Sequence, residues 1–224
     1  MRVLVTGGAG YIGSHAAKAL AKAGHVPVVL DDLRTGHRHN VRWGPLEHGD
    51  VRDAAHVAEV LLRQRIEAVL HFAALSSVAE AGRDPERYHD VNVGGTIAIV
   101  RAMRACGVGR IVFSSTAATY GGSGSQCAGR RLTEDDRQEP ANAYGQSKLA
   151  AERLLTDCCA AWGLGAVALR YFNAAGADPD GELGEEHDPE THLVPAALLV
   201  AAGRRERLVV HPGASQTSSF MGFV

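Results

Sequence analysis

The amino-acid sequence predicts an α/β fold built on a doubly wound parallel sheet, and three observations lead to this prediction. Five short runs are apolar on both faces, which is typical of parallel strands covered by helices on each side. Longer segments with helical periodicity alternate with these runs. A glycine-rich turn joins the first run to the first helical segment. The predicted strands span residues 2–6, 26–31, 68–72, 110–115 and 166–171.

Helices are predicted between these strands, and Pro85 suits the first turn of its helix, where the missing N–H costs nothing. A short additional strand is predicted at 46–49. Right-handed crossovers then complete the doubly wound arrangement. We assign residues 1–172 to this domain and residues 173–224 to a partial second region. The predicted helices span residues 12–23, 53–64, 85–106 and 143–162.

Composition excludes several classes of protein. The 224 residues contain 23 Lys plus Arg against 25 Asp plus Glu, so the chain lacks the basic surplus of nucleic-acid-binding proteins. No run of about 18 apolar residues is present to span a membrane, and the N-terminal apolar run is too short for a secretory signal. The four cysteines and the scattered histidines show no metal-ligand spacing, so no metal site is predicted. We therefore expect a cytoplasmic protein.

The glycine-rich turn predicts a dinucleotide site. Gly7 permits a tight turn after the first strand, Gly10 lets the backbone approach a pyrophosphate, and Gly13 permits close packing of helix on strand. Tyr11 and Ile12 lie between these glycines and are assigned to the same site. The free N–H groups at the start of the helix then face the phosphates. In its strand–turn–helix context, this spacing predicts a Rossmann-like, NAD-binding domain.

An acidic residue about 20 positions further on supports the same site. Asp31 ends the second strand, where a carboxylate accepts hydrogen bonds from the adenosine ribose and repels a 2′-phosphate, so NAD is favoured over NADP. Asp32 and Leu33 follow directly and are assigned to the site as well. The alternative interpretation of Asp31 and Asp32 is an ordinary surface turn.

Further cofactor contacts are predicted from position alone. Asp50 and Val51 follow the short third strand, where they would border the adenine. Phe72, Ala73 and Ala74 form a turn of mostly small residues after the next strand, which would let the cofactor pass close to the backbone.

A tyrosine and a lysine four residues apart predict acid–base chemistry. Tyr144 and Lys148 share one face of a predicted helix. Because a free phenol has a pKa of about 10, a nearby ammonium is needed to favour the phenolate at neutral pH. Thr116, at the end of the fourth predicted strand, adds a hydroxyl for a sugar or alcohol oxygen. The competing interpretation is structural capping, which we expect more for Ser114 than for Thr116.

These residues lie in segments that resemble the extended short-chain dehydrogenase/reductase family, and within it the UDP-glucose 4-epimerases (UDP-galactose 4-epimerases). The resemblance runs from residue 1 to about residue 210. It is found in the segments VTGGAGYIGSH, VLDDL, HGDVRD, HFAALSSV, VNVGGT, IVFSSTAATYG, NAYGQSKLAAE, LRYFNAAGA and ETHLVPAALLVAAGRRERL.

The resemblance implies epimerisation at C4 of a UDP-sugar through a transient 4-keto intermediate, with tightly held NAD. Tyr144 would take the proton of the 4-hydroxyl, Thr116 would hydrogen-bond the 4-oxygen, and Lys148 would tune Tyr144 and bind the cofactor. Asn92 and Tyr171 would lie near the cofactor or the floor of the site.

The resemblance also implies contacts with the UDP-sugar substrate from Asn173 and from the backbone around His192 and Leu193. It further suggests a homodimer formed through the helices at about residues 85–106 and 143–162. Both expectations come from the family alone.

Alternatives remain within this family and outside it. Sugar-nucleotide dehydratases commonly place an Asp–Glu pair after the strand-end threonine, whereas Thr116 is followed by Ala117 and Ala118, which cannot transfer protons. UDP-glucuronate epimerases and decarboxylases share much of the same core and stay open. The segment after Leu208 does not match the family pattern, so the chain is expected to be truncated. An NAD-binding fragment with impaired catalysis is therefore the rival hypothesis.

Overall fold

The computed structural model describes residues 1–121, 131–187, 190, 192–208 and 220–222. The chain divides into two compact units, Met1–Tyr171 and Phe172–Val224, and the boundary lies one residue before the position expected from the sequence. Each unit is described by itself. Within the described residues, no helix is both long enough and apolar enough to cross a membrane.

The first unit is built on a six-stranded parallel sheet with the order β3-β2-β1-β4-β5-β6. The strand order reverses between β1 and β4, which is where doubly wound sheets bind their ligands. Thr6 at the end of β1 pairs with Leu30 of β2 and with His71 of β4, so the carboxyl ends of these three strands lie side by side. The strands are β1 (Arg2–Thr6), β2 (Val26–Asp31), β3 (Leu46–His48), β4 (Ala68–His71), β5 (Arg110–Ser114) and β6 (Gly165–Leu169).

Helices connect the strands, and several of these helices have a polar N-cap side chain. Asp53, Asp84 and Asn142 each accept a hydrogen bond from a backbone N–H of the first turn of their helix, as N-caps do. The helices of this unit are α1 (Tyr11–Lys22), α2 (Ala54–Arg63), α3 (Val78–Ala81), α4 (Pro85–His89), α5 (Gly95–Cys106) and α6 (Ala143–Trp162).

The helix expected over residues 85–106 is interrupted. A π-helical turn, Asp90–Gly94, separates α4 from α5. The buried Asn92 lies within this turn and hydrogen-bonds Leu75 and Ser147, which belong to two other segments. These distant partners account for the irregular turn, since no local sequence signal requires it.

The core of the first unit lies between the sheet and helices α2, α5 and α6. Strands β1 and β2 are buried on both faces, as their apolar runs predict, whereas β4 and β5 alternate between buried and partly buried side chains. The prediction is wrong for β6, where Val167 and Leu169 are 54% and 43% exposed. Among the described residues β6 pairs only with β5, so it forms an edge of the sheet. Buried core side chains include Leu4, Val28, Leu30, Val69, Ile99 and Phe113.

The described part of the second unit contains one helix and a small sheet. The helix is α7 (Leu193–Ala201). Strand β7 (Asn173–Ala175) pairs in parallel with β8 (Phe220–Gly222). Most of the segment after Leu208, and residues 122–130, lie outside the described residues.

Candidate active site

The turn between β1 and α1 has the geometry that a dinucleotide requires. A Cβ atom added at Gly13 would lie 2.2 Å from the carbonyl oxygen of Gly7, so only glycine permits this approach of helix to strand. Gly7 has φ +70°, and a Cβ there would lie 2.6 Å from the backbone nitrogen of Ala73. Gly10 is the N-cap of α1 and offers no side-chain hydrogen bond, so the backbone at the start of the helix is left to face an anion. Tyr11 and Ile12 follow in the first turn of α1.

Asp31 is tied to this turn, which distinguishes it from Asp32. One carboxylate oxygen of Asp31 accepts from the backbone N–H of Ala9 at 3.0 Å, and the other accepts from that of Leu33 at 2.8 Å. Burial raises the pKa of Asp31, and these two hydrogen bonds oppose the rise. Asp32 instead lies at the surface, where it accepts from the backbone of Arg34. The geometry therefore favours Asp31 as the ribose ligand.

Leu33 has a left-handed backbone with φ 57°, a conformation that costs free energy in a residue other than glycine. The hydrogen bond from its N–H to Asp31 holds it there. The strained backbone at Leu33 thus accompanies a hydrogen bond that fixes the orientation of the Asp31 carboxylate.

The residues predicted to contact the cofactor after β3 and after β4 differ in how they are placed. The turn that begins with Phe72 and Ala73 lies directly against Gly7, as the sequence suggests, and Ala74 follows in the same turn. By contrast, the Asp50 carboxylate pairs with Arg52, whose hydrogen bond lowers the pKa of Asp50. The Val51 side chain is buried in the core against Gly95. Only the backbone of these last two residues is therefore left to border a cofactor.

Helix α6 begins close to the end of β5, and this brings the predicted catalytic residues together. The Asn142 side chain caps the helix by accepting from the N–H of Gly145 at 2.8 Å. A Cβ at Gly145 would lie 2.6 Å from the carbonyl oxygen of Ala118, so the helix can approach the turn after β5 only with glycine at this position. Tyr144 is thereby placed within hydrogen-bond reach of Thr116.

Lys148 lies one helical turn further, fully buried beneath the site. Its ammonium donates to the carbonyl oxygen of Ser114 at 2.8 Å and lies 4.9 Å from the centre of the Phe113 ring. Burial lowers the pKa of Lys148 to about 7, and the negative charge of Glu152 opposes this change. The ammonium is thus held by a backbone carbonyl at the end of β5.

Burial is the largest influence on the pKa of Tyr144, because the phenol is packed inside the protein. It raises that pKa to about 12, a hydrogen bond with Thr116 acts in the opposite direction, and Tyr171 adds to the rise. Lys148 is not among the groups that shift this pKa, so the effect of its ammonium on Tyr144 stays a prediction.

Thr116, rather than Ser114, is the capping residue after β5. The Thr116 hydroxyl accepts from the N–H of Ala118 at 3.1 Å and begins a short 3₁₀ turn, Ala117–Tyr120. Ser114 instead hydrogen-bonds the hydroxyl of Tyr171. The expectation that capping falls to Ser114 is wrong, but Thr116 still faces Tyr144, so capping and a hydrogen bond to Tyr144 coexist in one side chain.

Asn92 supports the site from below, and both N–H groups of its side-chain amide are already used. Its side-chain oxygen accepts from the N–H of Leu75 at 2.8 Å, and its amide donates to the carbonyl of Leu75 and to the hydroxyl of Ser147. Ser147 in turn donates to the carbonyl of Tyr144 at 2.8 Å. Asn92 therefore fixes the first turn of α6.

Two buried groups near Lys148 were not predicted from the sequence. His71 hydrogen-bonds the hydroxyls of Thr6 and Thr96, and burial lowers its pKa to about 3. Glu152 lies one turn after Lys148 on α6 and pairs with Arg170. The spacing of four residues from Lys148 was a usable signal for Glu152, since it repeats the spacing between Tyr144 and Lys148.

The predicted substrate residues other than Thr116 and Tyr144 belong to the second unit. Asn173 begins β7, His192 is the N-cap of α7, and Leu193 is the first residue of that helix. The histidines are not simply scattered at the surface: His192 accompanies the half-buried Glu185 and Glu190, with His192 Nδ1 at 2.7 Å and 3.1 Å from their carboxylate oxygens. With His187, these residues place four potential metal-ligand atoms within 4.8 Å of one another.

The fold and the site define a Rossmann-like, dinucleotide-binding protein with a Tyr/Lys pair beside the carboxyl end of β5. The chain belongs to the NAD dependent epimerase/dehydratase family, whose model matches residues 3–218. That match extends past Leu208, so the expectation that the segment departs from the family pattern at this point is wrong up to residue 218.

Individual relatives agree with this assignment. The chain is 50% identical to a UDP-glucose 4-epimerase of Rhizobium leguminosarum bv. trifolii over 91% of its own length and 61% of that protein. It is 49% identical to the UDP-glucose 4-epimerase of Lacticaseibacillus casei, covering 94% of this chain and 63% of the relative. The chain thus spans about three-fifths of the length of these relatives.

Solved structures give the same result. The UDP-glucose 4-epimerase of Brucella ovis in complex with NAD superposes with a TM-score of 0.87 and 51% identity, over 92% of this chain and 62% of that one. The enzyme of Bifidobacterium longum in complex with NAD⁺ and UDP gives a TM-score of 0.89 and 30% identity, over 99% and 70% respectively.

Proposed function

We propose that this chain acts in the NAD-dependent, reversible epimerisation of a UDP-hexose at C4, which interconverts UDP-galactose and UDP-glucose. The observation on which this rests is the placement of Tyr144, Thr116 and Lys148 around the end of β5, in a unit whose first turn and Asp31 suit NAD. The relatives named UDP-glucose 4-epimerase, which are 50% and 49% identical to this chain, support the choice of substrate.

The chain's own residues would hold NAD in a defined way. The backbone at the start of α1 would face the diphosphate, Asp31 would accept from the adenosine ribose, and Lys148 would reach the nicotinamide ribose. The narrow approach between Gly7 and Ala73 fits a cofactor that crosses the switch point close to the backbone. Bound NAD supplies a hydride acceptor that later returns the hydride to the opposite face of C4, and its positive ring favours the phenolate of Tyr144.

Proton transfer then belongs to Tyr144. As the substrate C4–O–H is oxidised to a ketone, the phenolate takes the hydroxyl proton while Thr116 hydrogen-bonds the same oxygen. The 4-keto sugar turns within the site, and Tyr144 returns the proton when C4 is reduced on its other face. The atoms and electrons balance over one cycle, so no external oxidant is needed.

Ala117 and Ala118 distinguish this proposal from dehydration. Elimination of water from a neighbouring carbon requires a further acid and base beside the 4-oxygen. The residues that follow Thr116 hold only methyl groups there, and they form the 3₁₀ turn that Thr116 caps. Epimerisation needs no such groups, because a single phenol gives and receives the only proton that moves.

The experiment that tests this proposal combines turnover and cofactor content. UDP-galactose is supplied to the purified chain, UDP-glucose is detected by a coupled assay, and bound NAD is quantified in the same sample. Turnover that is lost in Tyr144→Phe while bound NAD is retained supports the proposal. NAD without turnover limits the function to dinucleotide binding, and turnover retained by Tyr144→Phe refutes the role of the phenol.

We also propose that the protein is a cytoplasmic homodimer that pairs through α4, α5 and α6. Within the first unit, α6 packs against α4 and the π-helical turn that follows it, and also against α5. Free thiols at Cys106, Cys158 and Cys159 suit a reducing compartment. Light scattering of the purified chain gives the dimer mass if the proposal is right and the monomer mass if it is wrong.

A further inference from the structure

Glu152 is a buried carboxylate to which no step of the proposed reaction assigns a role. It lies on α6, four residues after Lys148 and eight after Tyr144, so all three project from one face of the helix. Its side chain is 7% exposed. A carboxylate in such a place needs several partners to offset the loss of water.

The partners of Glu152 come from three separate segments. The Arg170 guanidinium, which follows β6, donates to both carboxylate oxygens at 2.7 to 3.1 Å. Gln138 donates to one oxygen at 3.1 Å, and the Ser115 hydroxyl donates to the other. Arg170 is held in turn by the hydroxyl of Tyr120 at 3.0 Å. Glu152 thus joins α6 to the chain on both sides of Thr116.

The hydrogen bond between Glu152 and Ser115 holds the segment that carries Ser114 and Thr116. Ser114 provides the carbonyl that accepts from Lys148, and Thr116 provides the hydroxyl that faces Tyr144. Ser115 lies between them, and its side chain is fixed from behind by Glu152. Displacement of Ser115 would therefore move the partners of Lys148 and Tyr144 together.

The charge of Glu152 also acts on Lys148. From its own helix, Lys148 faces Tyr144 and Glu152. From β4 it faces the imidazole of His71, and from β5 the ring of Phe113 and the carbonyl of Ser114. Glu152 is the negative group whose charge favours the ammonium form of Lys148. Arg170, on the far side of Glu152, offsets part of that charge.

We propose that Glu152 is a positioning residue for the reaction: held by Arg170, it anchors Ser115 and provides the counter-charge that keeps Lys148 an ammonium ion. This role rests on the proposed function, because it matters for catalysis only if Lys148 serves Tyr144 and the cofactor. The effect of the Glu152 charge on the protonation of Lys148 does not depend on the reaction, so it can be measured without substrate.

The chain offers a direct measurement because it contains only three lysines. Lysine labelled with ¹³C at Cε gives three resonances, and Lys148→Met identifies the one that belongs to Lys148. Its titration midpoint in the wild-type chain is expected near 7. Glu152→Gln is expected to lower that midpoint by about one pH unit, since an opposite charge nearby favours the charged form by about this amount or more.

Arg170→Met tests the same charge in the other direction. Without the guanidinium, the Glu152 carboxylate acts on Lys148 uncompensated, so the midpoint is expected to rise. Glu152→Asp keeps the charge and is expected to restore most of the wild-type midpoint. Glu59→Gln, which removes an exposed carboxylate from α2, is the matched control and leaves the midpoint unchanged.

Opposite changes in Glu152→Gln and Arg170→Met are the expected result, because a purely structural role would not give them. An unchanged midpoint in both variants overturns the proposal. If Glu152→Gln does not fold, Arg170→Met decides alone, and an unchanged midpoint there has the same consequence. Absence of epimerisation in the wild-type chain would instead refute the proposed function, while the titration would still decide the role of Glu152.

Discussion

Acid stability is expected to depend on His71, which lies at the end of β4. Its ring nitrogens hydrogen-bond Thr6 at 2.7 Å and Thr96 at 3.3 Å, and its ring contacts Phe113. Burial is the main cause that lowers its pKa to about 3, and the positive charge of Lys148 adds to this effect. In the unfolded chain the same imidazole titrates near 6.5.

The sign and size of the effect follow from these two values. Between pH 6.5 and about 3, the unfolded chain binds a proton on His71 that the folded chain excludes, so the free energy of unfolding falls as the pH falls. Each pH unit within this window corresponds to about 1.4 kcal/mol for one group. By pH 4 the loss is about 3 kcal/mol, which is a large part of the stability of an ordinary domain.

The measurement compares wild type with His71→Asn. The free energy of unfolding is obtained from urea titrations at several values between pH 4 and pH 7. His71→Asn is expected to be less stable than wild type at pH 7, because it disturbs two buried hydrogen bonds, and to lose less stability as the pH falls. His39→Asn removes an exposed histidine and is expected to keep the wild-type slope. Equal slopes for His71→Asn and wild type would refute the assignment of a buried neutral imidazole.

Three further outcomes are expected. Gly13→Ala should weaken NAD binding at least tenfold, as measured by calorimetry, because the added methyl group would displace the backbone at Gly7. The control Gly109→Ala places its methyl group in open space and should bind NAD as wild type does. Between pH 8 and pH 10 the unfolding free energy of wild type should rise with pH by about 1.4 kcal/mol per pH unit, since the unfolded chain binds a proton that the buried amine of Lys148 has lost. Lys148→Met should lack this rise. Equal slopes of unfolding free energy against pH for the variant and wild type, measured by urea titrations, would contradict the lowered pKa. Asn92→Ala should lower the free energy of unfolding by about 1 to 3 kcal/mol, because it leaves the backbone groups of Leu75 without partners. An unchanged urea midpoint would contradict that role for Asn92.

Local patterns were sufficient to predict much of the fold. The strands of the main sheet were predicted to within about one residue at most of their ends, because each is an apolar run bounded by turn residues. Helix α6 was predicted with its observed bounds, Ala143–Trp162. The π-helical turn was not predictable in this way, since its cause is the set of hydrogen bonds between Asn92 and residues far away in the sequence.

The site was predictable in its residue types but not in its electrostatics. The spacing of Tyr144 and Lys148 correctly places them on one face, and Asp31 could be preferred over Asp32 from its position at the strand end. The pKa of Tyr144 depends on how deeply the phenol is buried, and that is a property of the whole fold. The partners of Glu152 are likewise contributed by segments that only the folded chain brings together.

The π-helical turn at Asp90–Gly94 has a consequence for how this part of the chain tolerates change. Each residue of an α-helix advances the side chains by about 100° around the axis, so one extra residue in a turn places α4 and α5 out of phase. Tyr88 and Ile99 would share a face in an uninterrupted helix. Here Tyr88 meets the ring of Tyr144, while Ile99 packs into the main core. Deleting a single residue from the turn would remove the extra residue and leave α4 and α5 in their present orientation as one continuous α-helix. Deleting a residue from α4 or α5 themselves would instead rotate the side chains beyond it by about 100° and should be far more damaging.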